Sequence, residues 1–88
     1  MNRRIYLDLR KIKEQRSAHE YLEEIFGFPA YYGHNLDALY DCLMEMPNCE
    51  IILQYEEEAC LEATYGERVL EVLEEAAYEN PLLKLFTE

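Results

Sequence analysis

Three short apolar runs, at residues 4–9, 50–55 and 82–86, are separated by long stretches with helical periodicity. This spacing limits the fold more than any other feature of the chain. Arg4-Ile5-Tyr6-Leu7-Asp8-Leu9 alternates apolar and polar residues as a strand does, and Glu50-Ile51-Ile52-Leu53-Gln54-Tyr55 reads as a central strand. Strands so far apart in sequence do not close hairpins; they pair in parallel through right-handed crossovers. The expected fold is α/β, a small three-stranded parallel sheet flanked by about four helices in the order β-α-α-β-α-α-β.

The helical segments carry their own punctuation. Ser17 with Glu20 makes a capping-box pattern, followed by Ala18, Leu22, Ile25 and Phe26 at helical spacing, with Gly27 and Pro29 at the end. His19 then falls at the surface or boundary of this first helix. Asn35 suits the N-cap of a second helix with Leu36, Leu39, Tyr40 and Leu43 on one stripe; Pro47 and Asn48 break it. Glu56, Glu57 and Glu58 fit the first turn of a short third helix, where carboxylates meet the positive end of the dipole. Gly66 separates that helix from the last one. There Val69, Val72, Leu73, Ala76 and Ala77 face the core, Glu67, Glu71, Glu74 and Glu75 lie outside, and Asn80-Pro81 ends the run. Of Tyr32 and Tyr40, one is expected to pack inward, and Tyr6, Tyr21, Tyr55, Tyr65 and Tyr78 are assigned to the core or its edge. At 88 residues the expectation is one domain, 1–88, of modest stability.

Charge decides which partners are admissible. Eight basic against nineteen acidic residues leave −11. The bases gather at the start, as Arg3, Arg4, Arg10, Lys11, Lys13 and Arg16, leaving Arg68 and Lys84 alone in the rest. A polyanion gains nothing from counterion release on nucleic acid and is not drawn to anionic lipid. Direct nucleic-acid binding and membrane association are therefore excluded as expectations, and a basic protein partner is favoured. The three cysteines, Cys42, Cys49 and Cys60, make no disulfide framework and no C-x-x-C pair. Free, mostly buried thiols and a cytoplasmic location follow as expectations, and no stretch has the length of a membrane span or a signal-peptide core.

Signatures of catalysis are lacking: no Walker loop, G-x-S-x-G or H-E-x-x-H occurs, and Ser17 is the sole serine. Asp37 and Asp41, four residues apart, share a face of the second helix at a like-charge cost of about a few tenths of a kcal/mol. A solvated acidic face and a recognition face for a cationic pocket both fit them. A metal centre built from Asp37, Asp41 and His34 is disfavoured because no further ligand stands at a defined spacing. Tyr31 and Tyr40 beside these carboxylates match the composition of interface hot spots, which weighs for recognition.

The run Tyr31-Tyr32-Gly33-His34-Asn35-Leu36-Asp37-Ala38-Leu39-Tyr40-Asp41-Cys42-Leu43 closely resembles the signature of the barstar family, intracellular inhibitors of barnase-type ribonucleases. Phe26-Gly27-Phe28-Pro29 and the helix from Gly66 to Ala77 fit as well, so the resemblance covers nearly the whole chain. It implies a cofactor-free, non-enzymatic inhibitor, monomeric when free, that binds a basic barnase-type ribonuclease one to one. Asp41 would enter the catalytic pocket in place of a substrate phosphate, and Asp37 would pair with a neighbouring base. Tyr31, Gly33, Asn35 and Leu36 would supply loop contacts, Tyr40 a flanking contact and Glu75 a second acidic patch, with His34 and Val72 as further contacts. Tyr40 stands where the family usually has Trp, and residues 44–50 match no family pattern. A diverged acidic module with another basic partner is the alternative reading.

Overall fold

The computed structural model describes residues 3–88. Strands β1 (Arg3–Asp8), β2 (Cys49–Gln54) and β3 (Leu83–Thr87) form an open sheet in the order β1-β2-β3, with both pairings parallel. Helices α1 (Gln15–Phe26) and α2 (Leu36–Met44) connect β1 to β2, and α3 (Glu56–Ala59) and α4 (Tyr65–Glu79) connect β2 to β3. A 3-10 turn, Leu9–Lys11, follows β1. The three-stranded parallel α/β arrangement and its element order are those expected.

One face of the sheet is buried and the other is open. Ile5, Leu7, Cys49, Ile51, Leu53 and Leu83 point into a single core that also takes Leu22 and Phe26 from α1, Leu39 and Leu43 from α2, and Val69, Leu73 and Ala76 from α4. On the opposite face Tyr6 and Phe86 are about half exposed on either side of Ile52, with which both are in register. Parallel sheets are usually covered on both sides; β2 nevertheless keeps a near-continuous apolar run because it is the central strand.

Two devices set the position of α4. Gly66 lies inside its first turn rather than before it, because a Cβ there would stand 2.7 Å from Leu61 Cδ2 and 2.8 Å from the Ile12 carbonyl oxygen. At the other end the buried Asn80 side chain donates from Nδ2 to the carbonyls of Leu43 (3.0 Å), Met44 (3.4 Å) and Met46 (3.4 Å). Its Oδ1 accepts from the Leu82 amide at 3.0 Å. Asn80 therefore ends α4 and also closes the C-terminus of α2, whose last carbonyls have no partners within the helix.

Several expectations are corrected. Helix α1 begins at Gln15 with Glu14 as N-cap, so Ser17 is inside the first turn; its hydroxyl bonds back to the Glu14 carbonyl at 3.4 Å. His19 is wholly buried, because the spacing 19, 22, 26 puts it on the same stripe as Leu22 and Phe26. Tyr6, Tyr55 and Tyr78 are exposed: Tyr6 on the open sheet face, Tyr55 at a left-handed turn (φ 62°) and Tyr78 on the outer side of α4. The cysteines are all free, but only Cys49 is buried; Cys42 is half-buried and Cys60 exposed.

Three bases of the N-terminal segment, Arg3, Arg4 and Arg10, are engaged within the fold. Arg3 donates to the carbonyls of Phe26 (2.8 Å) and Ile25 (3.3 Å), closing the C-terminus of α1, whose last residue is followed by left-handed Gly27. Arg4 pairs with Glu50 across the strands at 3.1 Å. Arg10 grips Asp8 with two donors, at 3.0 and 2.9 Å, and lies 3.7 Å over the Tyr55 ring. This grip holds the Asp8 carboxyl below the usual carboxylate range.

Candidate functional face

The residues between α1 and α2 form a tight loop that ends at a capped helix. Asn35 Oδ1 accepts from the Ala38 amide at 2.7 Å, while Nδ2 donates back to the Gly33 carbonyl at 3.2 Å. One side chain thus fixes both the start of α2 and the last turn of the loop. His34 adopts a left-handed backbone (φ 54°), a conformation unfavourable for a residue with a Cβ. Its Nε2 lies 2.8 Å from Glu23 Oε1, which ties the strained residue to α1. Tyr31 is almost fully exposed beside it, and Tyr32 is buried. Of the tyrosine pair weighed in the sequence, Tyr32 is the one that packs inward, with Tyr40 half-buried.

Helix α2 presents Asp37 and Asp41 to solvent one turn apart and packs on α4. Leu36, Asp37, Tyr40 and Asp41 from α2, with Val72 and Glu75 from α4, line a single shallow groove. Tyr31, Gly33 and Asp41 line the adjoining depression together with Phe28, Ala38 and Cys42. Asp41 stands on the ridge between the two and borders both. Asn35 lines neither; it works through the cap. His34 lines neither, because its ring turns to Glu23.

Tyr40 spans the seam between the helices, its hydroxyl donating to the Glu79 carboxylate on α4. That bond, with Glu79, Glu75 and Asp41 all nearby, pushes the phenol up to about 12. The hydrogen bond to Glu79 is the main cause, desolvation the second, and the surrounding carboxylates add to both. Burial raises the Cys42 thiol, with Glu45 and Asp41 acting in the same direction, which favours its protonated form. Glu79 was missed in the sequence, although its place four residues after Glu75 puts both on one side of α4.

The buried polar cluster under the loop was missed as well. His19 Nδ1 is 2.7 Å from the Tyr32 hydroxyl and Nε2 is 2.6 Å from the Tyr65 hydroxyl. Burial raises the Tyr32 phenol far above its ordinary range and lowers the His19 imidazole. Among the described residues, no three His, Cys, Asp or Glu side chains gather closely enough to hold a metal ion, so Asp37, Asp41 and His34 do not converge. Among the described residues, no helix is long and apolar enough to cross a membrane.

The family model for Barstar (barnase inhibitor) matches residues 2–86. The chain is 36% identical over 80 residues to the protein named "Putative ribonuclease inhibitor YrdF" of Bacillus subtilis (strain 168), an alignment covering 88% of each chain. With a match across almost its whole length, this chain belongs to the barstar family of barnase inhibitors.

Proposed function

We propose that this protein inhibits a basic, barnase-type ribonuclease by seating the α2–α4 face in the enzyme's active site, one to one and without a cofactor. The observation that carries this reading is the convergence of Asp37, Asp41 and Glu75, from two helices, on one shallow groove shared with Leu36, Tyr40 and Val72. An enzyme that cleaves RNA presents cationic groups to phosphates. An exposed carboxylate bordering two depressions is complementary to them, and carboxylates set beside aromatic and aliphatic side chains match the composition of protein interfaces. Asp41 takes the place of a substrate phosphate; Asp37 pairs with a neighbouring base, and Glu75 supplies a second acidic patch. Tyr31, Gly33, Asn35 and Leu36 form the loop contacts, with His34 at their margin and Tyr40 flanking Asp41. In this role the protein is a cytoplasmic monomer and not an enzyme.

The test is calorimetric titration against a panel of barnase-type ribonucleases at low and high salt, with RNA cleavage followed in parallel. Tight one-to-one binding that weakens with salt and abolishes cleavage supports the proposal. Absence of binding across the panel refutes it and leaves the face to a basic protein of another kind.

A further inference from the structure

His19 belongs to α1, which carries none of the proposed contact residues, yet it reaches both halves of the face. Its Nδ1 engages Tyr32, which lies in the contact loop between Tyr31 and Gly33. Its Nε2 engages Tyr65, the first residue of the helix that carries Val72 and Glu75. The ring is wholly buried. We infer that His19 is a positioning residue for partner binding, fastening the contact loop and α4 to α1 in its neutral form and releasing them when it is protonated; this rests on the ribonuclease-inhibitor reading.

The hydrogen-bond inventory forces the dependence on protonation. A neutral imidazole has one donor and one acceptor, so one ring nitrogen donates to one tyrosine and the other accepts from the second. Both hydroxyl contacts, the buried one to Tyr32 and the part-buried one to Tyr65, are then made. A protonated ring has two donors, so the hydroxyl that was donating must turn its proton away, and neither hydroxyl has another partner among the described residues. The new charge also lacks a counter-ion. The groups facing it are the neutral phenols of Tyr32 and Tyr65 and the ring of His34, stacked at 6.3 Å between centroids. The nearby carboxylate, Glu23 on α1, is already engaged by His34. Beyond the phenols, Cys42 lies near Tyr32, and Arg68 near Tyr65 adds further positive charge. Burial and His34 both oppose the charged ring.

Affinity is measured for one ribonuclease between pH 7.5 and 5.5 with the parent protein, His19→Gln, His19→Leu and His34→Asn. Because the same enzyme is used throughout, its own titration cancels in the ratio of parent to variant. Glutamine offers one donor and one acceptor but does not titrate; leucine offers neither. His19→Leu should weaken binding at every pH. His19→Gln should recover most of that loss at pH 7.5 and remove the acid slope. The parent, relative to His19→Gln, should lose up to about tenfold in affinity per pH unit below the ordinary histidine range, the limit for one linked proton. His34→Asn, which removes the stacked ring and frees Glu23, should keep a slope but move its onset to higher pH. A constant ratio of parent to His19→Gln across the range overturns the inference. In parallel, proton and nitrogen resonances of the free protein are followed over the same range. A single transition shared by His19, the loop at residues 31–35 and the first turn of α4 supports the inference even if no ribonuclease in hand binds. Movement of the His19 ring alone overturns it.

Discussion

Adding one methyl group at Gly66 tests how α4 is held against the rest of the fold. An alanine Cβ would stand 2.7 Å from Leu61 Cδ2, 2.8 Å from the Ile12 carbonyl oxygen and 3.1 Å from Ile12 Cγ1. Leu61 is a terminal methyl, but it is nearly buried and has little room to swing. The Ile12 oxygen is backbone and can yield only if the segment after the 3-10 turn moves. Overpacking of this kind costs about 1–3 kcal/mol. Against it stands the better helix propensity of alanine, about 1 kcal/mol at an interior position and less in a first turn. Overpacking wins by about 1–2 kcal/mol, a fall in Tm of about 5–15 °C for a domain of this size.

The consequence reaches the binding face because Tyr65, the neighbour of Gly66, bonds His19. Pushing the first turn of α4 off Ile12 stretches that bond and tilts Val72 and Glu75 relative to α2. Thermal and urea unfolding followed by circular dichroism measures the first effect, and titration against a ribonuclease measures the second. Glu67→Ala, one residue on and exposed, is the control and should leave Tm within about 2 °C. If Gly66→Ala matches or exceeds the parent in Tm, the close approach to Ile12 does not hold α4, and the reasoning fails.

Asp41→Ala should cost about 2–5 kcal/mol of binding and Asp37→Ala less, with unfolding midpoints unchanged, since Asp41 borders both depressions; equal small losses in titration would misplace the face. Neutralising Glu56, Glu57 and Glu58 together should lower the association rate at low salt and leave dissociation unchanged, read by stopped-flow; an unaltered salt dependence puts that patch outside the steering field. Asn80→Ala leaves the buried Met46 carbonyl without a donor and the Leu43 carbonyl with the Met46 amide alone, and should destabilise by about 1–3 kcal/mol in urea unfolding. Acid stability should decline in two windows. The His19 pKa is depressed in the fold, so its contribution is full above about 6.5 and is lost as pH falls below that; His19→Gln removes this step. Asp8 is also depressed, so its contribution is full above about 4 and is lost as pH falls through its folded value; Asp8→Asn lowers neutral-pH stability and flattens this second step.

The elements were legible because their signals are local. Alternation in β1, the apolar run of β2 and the stripes of α2 and α4 each follow from a repeat within a few residues, and right-handed crossovers leave few ways to arrange them. Asn35 was legible as a cap for the same reason. What could not be read were side chains whose role depends on a partner distant in sequence. Nothing near Asn80 says that it will serve the carbonyls of α2, 34 to 37 residues earlier. Tyr65 lies 46 residues from the histidine it bonds. His19 had a usable signal in its spacing with Leu22 and Phe26, but the polarity of imidazole argued for the surface. Burial became affordable only because two phenols, neither on α1, meet both ring nitrogens.

The face gathers features that act against stability, and this bears on how it works. Asp37 and Asp41 repel at one turn's separation, and Glu79 and Glu75 add to the same field. His34 holds a left-handed backbone at the loop's end. Contacts within the face and to its support brace it: Asn35 to Ala38, Glu23 to His34, Tyr40 to Glu79, Tyr32 to His19. Those contacts hold the loop and the helix backbone that carry the charged residues before any partner arrives, so less ordering entropy is left to lose on binding. A cationic partner also relieves the repulsion between the carboxylates, so that part of the like-charge cost becomes affinity. Removing a tether such as the Tyr40 hydroxyl, by Tyr40→Phe, should therefore weaken binding mainly through a less favourable entropy in calorimetry while the charge of the face stays the same. A loss confined to enthalpy would mean that the hydroxyl touches the partner directly and does not preorganise the face.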